Sequence, residues 1–304
     1  MKNRDSVQHD SQLSLDPSPL VPRPSSLPLY FCGIDIGASA AKLVILDADR
    51  QVVAKSIRRS GVDYAATAEQ CLAEALAAAE TKSGKRKAES GPPSEGAAFR
   101  FPLSAFATGY GRDNVPWVDG RATEIACHGK GAFHHFRRAM TVIDIGAQDS
   151  KVIHLDDRGR RTGFKMNRKC AAGTGAFLEE IAYRLDLPLA ELNGLAERST
   201  RDVTLGSRCT VFAATEVLEK IRAGQRVEDI EKGAYHSVVK RVIEMDAIQG
   251  ALVLTGGVVA HHPLFVRLAE GAFQTPALVP PDPQFVGALG AALLALERTE
   301  KGGG

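Results

Sequence analysis

Two cysteine-centred runs are where this sequence could do chemistry. The first is residues 165–179, KMNRKCAAGTGAFLE, with Cys170 near its middle. Small residues follow the cysteine, and then Phe177, Leu178, Ile181 and Leu185 recur at the spacing of one helix face. That predicts a sulfur against the unsatisfied N–H groups and positive dipole end of a helix. A thiolate, or a cluster held by thiolates, gains anionic stability there. The second run is 207–216, SRCTVFAATE, where Cys209 leads into a helical pattern with Phe212, Val217, Leu218 and Ile221 as its apolar positions. Two cysteines, each before its own helix, can converge on one redox centre. They can equally be buried small hydrophobes, as reduced cysteines often are.

Carboxylates supply a second chemistry. Residues 29–37, LYFCGIDIG, read as a strand carrying Asp35 and ended by Gly37. An aspartate inside an apolar strand is costly unless it binds something. The small-residue turn Ala38, Ser39, Ala40, Ala41 and Lys42 follows, and its backbone N–H groups can approach a phosphate closely. The same pattern returns at 141–151, TVIDIGAQDSK, with Asp144, Gly146, Ala147 and Gln148. A repeated IDIG is far more specific than either copy. It implies two related half-domains, each presenting a carboxylate and a phosphate-binding hairpin to a shared cleft. A third turn, Gly256-Gly257 after the apolar strand 251–255, fits close passage of a nucleoside.

The elements that must hold these groups follow from the patterning. Strands are expected at 43–46, 52–57 and 152–155, and helices at 64–80, 124–132 and 287–296. Cys127 and His128 are neighbours on the second of these helices, so they point about 100° apart; both read as packing residues. Residues 82–96 are charged and contain Gly and Pro, the composition of an exposed loop. Residues 1–28, rich in Ser and Pro and without an apolar core, read as a disordered tail. A net charge of +2 is too small to argue for nucleic acid or an anionic membrane surface, and neither is expected as a partner. There is no apolar run of about 18 residues, so no membrane span is expected. Five scattered cysteines suit reduced thiols in the cytoplasm better than a disulfide framework.

With the repeated IDIG hairpins and LTGG at 254–257 in hand, the chain resembles the superfamily of acetate and sugar kinases, heat-shock ATPases and actin. With KCAAGTG at 169–175 and SRCTVF at 207–212 added, it is similar to one branch of it. That branch comprises the ATPase activators of 2-hydroxyacyl-CoA dehydratases and the related ATPase subunits of benzoyl-CoA reductase. The resemblance covers about residues 33 to 296, and ATGYGR at 107–112 fits it as well.

The resemblance implies an actin-like α/β fold, with two ribonuclease H-like half-domains and mixed sheets around an ATP cleft. Residues 29–139 plus 285–299 would form the first half, and 140–284 the second. It places phosphate contacts on Ala38, Ser39, Ala40, Ala41, Lys42, Ala147 and Gln148, and nucleoside contacts on Gly256, Gly257 and Gln284. Asp35 and Asp144 would hold Mg²⁺ through water and position the attacking water. Cys170 and Cys209 would be ligands of a [4Fe–4S] cluster. Such a cluster takes four thiolates, so two chains must share it across a two-fold dimer of like or paralogous subunits. The expected activity is ATP-driven delivery of a low-potential electron, received from ferredoxin or flavodoxin, to a dehydratase or reductase component. Two departures stand out: Ala147 where a second Gly is usual, and Ala38-Ser-Ala-Ala41 where a Ser-Thr pair is commoner. The rivals are an N-acetylglucosamine-type sugar kinase of the same superfamily and a nucleotide-switched scaffold without redox chemistry. Trimming 82–96 is expected to leave ATP hydrolysis unchanged; loss of folding on deletion would show that a structural element lies there.

Overall fold

A computed structural model describes residues 30–82, 103–167, 170–206 and 210–302. The 1–28 tail, all but the first residue of the 82–96 loop, and Cys209 lie outside the described residues.

The chain builds one motif twice. Strands β1 (Tyr30–Ile36), β2 (Ala40–Leu46) and β3 (Val52–Arg59) form an antiparallel meander. Helix α1 (Tyr64–Lys82) then returns the chain so that β4 (Leu103–Thr108) lies parallel to β1, with β5 (Gly120–Arg121) outside it. Helix α2 (Glu124–Phe136) leads to the second copy. There β6 (Met140–Ile145), β7 (Ser150–Leu155) and β8 (Arg161–Asn167) repeat the meander. Helices α3 (Gly175–Arg184), α4 (Leu192–Glu197), α5 (Thr210–Arg222) and α6 (Val227–Ile243) precede β9 (Ala251–Thr255), which is parallel to β6. Helices α7 (Gly257–His261) and α8 (Pro263–Phe273), β10 (Ala277–Leu278) and α9 (Val286–Gly302) complete the chain. The sheet orders are β3-β2-β1-β4-β5 and β10-β9-β6-β7-β8, the same order in both halves. This is the α/β architecture with two mixed sheets expected from the repeat.

Burial explains the patterning. β6 and β7 are buried at every position, because helices cover both faces, and β6 accordingly reads as a mainly apolar run rather than an alternating one. Strand β3, at the sheet edge, alternates instead. Two helices cross between the halves. Helix α2 puts Ile125 and Ala132 against Met140, Val142 and Ile153 of the second sheet. Helix α9 puts Ala288, Leu289 and Ala292 against Phe31, Val44 and Leu46 of the first. The crossing is tight: a Cβ at Gly290 would sit 1.8 Å from the Cys127 carbonyl, and one at Gly33 2.0 Å from that of Ala288. Among the described residues no helix is long and apolar enough to cross a membrane.

Helix α5 departs from its sequence reading. It buries only a narrow stripe including Ala213 and Val217, while Phe212, Leu218 and Ile221 are exposed at 68%, 54% and 42%. Val217 joins Ala213 in the core, whereas Phe212, Leu218 and Ile221 are left outside it.

One buried group costs stability. Glu231 on α6 is fully buried with both carboxylate oxygens lacking a hydrogen-bond partner, and burial pushes its pKa up to about 8. The folded protein therefore keeps this proton up to about pH 8, whereas the unfolded chain releases it near pH 4.5. Stability should fall as pH rises through that window. Glu231→Gln is expected to stabilise the protein at pH 8 by about 2–4 kcal/mol. Denaturant unfolding of the two proteins should converge below pH 4.5; equal stability at both pH values would contradict the burial argument.

Candidate functional site

The two sheets present matching sets of side chains. In the first, Asp35 near the end of β1 pairs in register with Lys42 on β2 and with Thr108 on β4. In the second, Asp144 pairs in the same way with Lys151 on β7 and Thr255 on β9. Lys42 Nζ lies 3.6 Å from Asp35 Oδ2, and Lys151 Nζ 3.3 Å from Asp144 Oδ2. Thr255 Oγ1 donates to Asp144 Oδ1 at 3.1 Å. A glycine follows each threonine, Gly109 at φ +90 and Gly256 at φ +102. A Cβ there would meet the carbonyl of Ile36 at 2.4 Å or of Ile145 at 2.3 Å. Only glycine accepts both the left-handed φ and that approach.

The second set is the more elaborate. Lys151, buried, also contacts Asp149 Oδ1 at 2.6 Å and Glu124 Oε2 at 3.3 Å. Glu124 stands in the first turn of α2, whose N-terminus is capped by Thr123 Oγ1 accepting from Ala126 N. His128, one turn further along, places Nδ1 3.3 Å from Asp144 Oδ1, off-line for a hydrogen bond but within ion-pair reach. A Cβ at Gly287 of α9 would fall 2.8 Å from His128 Nε2 and 3.0 Å from Asp35 Oδ2. His128 and Asp35 thus meet the same turn of α9, which brings the two carboxylates to one site. Burial opposes ionisation of Asp144, but attraction to His128 and Lys151 and the Thr255 hydrogen bond outweigh it, holding its pKa at about 2. The same three carboxylates hold the Lys151 ammonium firmly protonated against its own burial.

The turns fall where the sequence put them. Ala38 and Ser39 are exposed and Ala40 and Lys42 half-buried, while the Ala41 methyl lies in the first core, leaving only its backbone to the cleft. Gly146 N donates to Asp149 O at 3.0 Å, closing the second hairpin with Gln148 exposed at its tip and Ala147 half-buried. Gly256 N donates to Pro283 O at 2.9 Å, which sets Gln284 beside the Gly256-Gly257 turn.

Cys170 is partly exposed in the loop between β8 and α3. Its N–H donates to Asn167 Oδ1 at 3.3 Å, and Asn167 Nδ2 donates to the carbonyls of Cys170 and Ala172 at 2.9 and 3.1 Å. The first N–H groups of α3 do not wait for a sulfur: Gly175 and Ala176 donate to the carbonyls of Gly146 and Ala147 at 2.9 and 2.8 Å. Cys32, Cys71 and Cys127 are buried, and burial raises the pKa of each thiol, that of Cys127 to about 12. Cys127 is thus a packing residue, as expected; His128 is not, since it faces Asp144.

Sequence reasoning passed over Lys151, Asp149, Glu124, His128, Thr108 and Thr255. Two signals were available. Lys151 follows Asp144 at the spacing that separates Lys42 from Asp35, and Thr-Gly ends both parallel strands.

Two mixed sheets of one order, with paired carboxylate hairpins meeting over crossing helices, define the two-lobed architecture of actin-like ATPases. The chain belongs to the BadF/BadG/BcrA/BcrD ATPase family, whose model matches residues 32–295. It is 39% identical over 277 residues to the activator of lactoyl-CoA dehydratase of Anaerotignum propionicum, covering 90% of this chain and 100% of that protein. It is 38% identical to the (R)-2-hydroxyglutaryl-CoA dehydratase activating ATPase of Acidaminococcus fermentans, covering 90% and 99%. The structure of the activator of the 2-hydroxyisocaproyl-CoA dehydratase from Clostridium difficile, with bound ADPNP, is similar at a TM-score of 0.78 and 34% identity, covering 90% of this chain and 97% of that one.

Two implied groups can be tested against these residues. Among the described residues no group of three or more His, Cys, Asp or Glu is placed to hold a metal ion. Asp35 and Asp144 offer carboxylate oxygens, the donors Mg²⁺ takes alongside substrate phosphates. Of the two cysteines the iron–sulfur expectation names, Cys170 is partly exposed with its backbone held on both sides by Asn167, and Cys209 lies outside the described residues.

Proposed function

We propose that this protein is an ATP-hydrolysing activator of a 2-hydroxyacyl-CoA dehydratase, working as a dimer that passes it a low-potential electron. The observation that carries this reading is the pair of Asp–Lys–Thr sets at one site, with the Cys170 loop hydrogen-bonded to the second hairpin. Support for the partner comes from relatives named as dehydratase activators over nearly their full length.

Lys42 and Lys151 offset the charge of the triphosphate, while backbone N–H groups of the turns at 38–42 and 146–148 approach its oxygens. Asp35 and Asp144 hold Mg²⁺ through water. Asp144, ionised at neutral pH, would accept a hydrogen bond from the attacking water and orient it toward the terminal phosphate. Glu124, whose Oε2 lies 3.3 Å from Lys151 Nζ and has no hydrogen-bond partner among the described residues, would help orient that water. Gly256, Gly257 and Gln284 border the nucleoside. Cys170 and Cys209 of two protomers would hold a [4Fe–4S] cluster, which when bound would supply a one-electron carrier, with ferredoxin or flavodoxin as the electron source. Phe212, Leu218 and Ile221 of α5 are exposed, and a second subunit would cover part of this apolar surface.

The test is reconstitution. Anaerobically purified protein with ATP and a strong reductant should switch on a 2-hydroxyacyl-CoA dehydratase, and omitting ATP should abolish this. ATP hydrolysis without activation would remove the activator role, and phosphorylation of an amino sugar would favour the kinase instead.

A further inference from the structure

The second hairpin and the cysteine loop are not merely near each other. Gly175 and Ala176 of α3 bond the carbonyls of Gly146 and Ala147, so the first turn of the helix is pinned to the hairpin backbone. The fit leaves no gap: a Cβ at Gly175 would touch Ala147 Cα at 3.3 Å. Ser150, buried where the hairpin becomes β7, donates its hydroxyl to the carbonyl of Gly173. Ser150 is also the register partner of Asn167 across β7 and β8. Asn167 in turn clamps the Cys170 backbone through both its amide oxygen and its amide nitrogen. On the far side the loop passes close to α6: a Cβ at Gly173, with φ +87, would meet Arg241 Cβ at 2.8 Å.

A rigid-body shift of residues 146–150 must therefore carry the cysteine loop with it or break buried hydrogen bonds, which are costly to leave unmade. We propose that Ser150 and Asn167 are positioning residues that make the placement of Cys170 follow the phosphate state of the second hairpin. This rests on the reading of that hairpin as an ATP phosphate contact, but not on the presence of a cluster.

The test uses the full chain, freed of iron and supplied with Mg²⁺, with ADP or the ATP analogue ADPNP. Alkylation of Cys170 by iodoacetamide is followed by peptide mass spectrometry, with buried Cys32, Cys71 and Cys127 as slow references. Wild-type rates should differ by about five-fold or more between the two nucleotides, the lower end of ordinary coupling between sites. In S150A and in N167A this ratio should collapse toward one, while calorimetry shows ADPNP still bound. S150T, which keeps the hydroxyl, should restore the ratio. N167A decides the matter should S150A fail to fold. Retention of the wild-type ratio in folded S150A or N167A would overturn the inference, as would a wild-type chain that binds ADPNP with no change at Cys170. A wild-type chain that binds no ADPNP would instead overturn the ATP-site reading, and this inference with it.

Discussion

Asp144→Asn is expected to lower the turnover of ATP hydrolysis by about a hundred-fold or more, the loss typical when a preorganised electrostatic group is removed from a reaction site. The substitution keeps the shape. Thr255 Oγ1 can still donate to an amide oxygen, and Lys151 keeps Asp149 and Glu124 as partners. What disappears is the charge that Mg²⁺ and its water need, in a place where His128 and Lys151 hold the carboxylate ionised. Folding and iron content should survive. Steady-state phosphate release is the measurement, and wild-type turnover in a folded variant would take Asp144 out of the mechanism.

Cys170→Ser is expected to strip iron almost completely rather than halve it. In a two-fold dimer one substitution removes two thiolates from a set of four, leaving too few to hold a cluster. Serine variants of Cys32, Cys71 and Cys127 should keep roughly full iron, because burial keeps those three thiols protonated. A cluster held within one chain would need two of them. Iron analysis with gel filtration under anaerobic conditions separates the cases: Cys127→Ser losing iron as fully as Cys170→Ser would sink the shared-cluster arrangement.

The part of this site legible in the sequence was the part written locally. An aspartate inside an apolar strand before a small-residue turn announces itself, and its repetition at Asp35 and Asp144 announced the two-sheet fold. Lys151 was equally legible, since antiparallel pairing across a hairpin of fixed length places it opposite Asp144 as Lys42 lies opposite Asp35. His128 was not. Its place beside Asp144 depends on α2 leaving the first sheet to pack on the second, a long-range choice that helical periodicity does not encode. Helix α5 shows the converse error. Its apolar positions are legible from the sequence, but periodicity does not tell which of them the rest of the chain covers: Val217 is buried, whereas Phe212, Leu218 and Ile221 are exposed.

The central claim, one cluster carried by two ATP-hydrolysing chains, is tested most directly by counting. Protein purified anaerobically should carry about four irons and four acid-labile sulfides per two chains. It should elute as a dimer and hydrolyse ATP in the same preparation. A folded, ATP-hydrolysing protein without iron, or one with a full cluster on each monomer, would contradict the account.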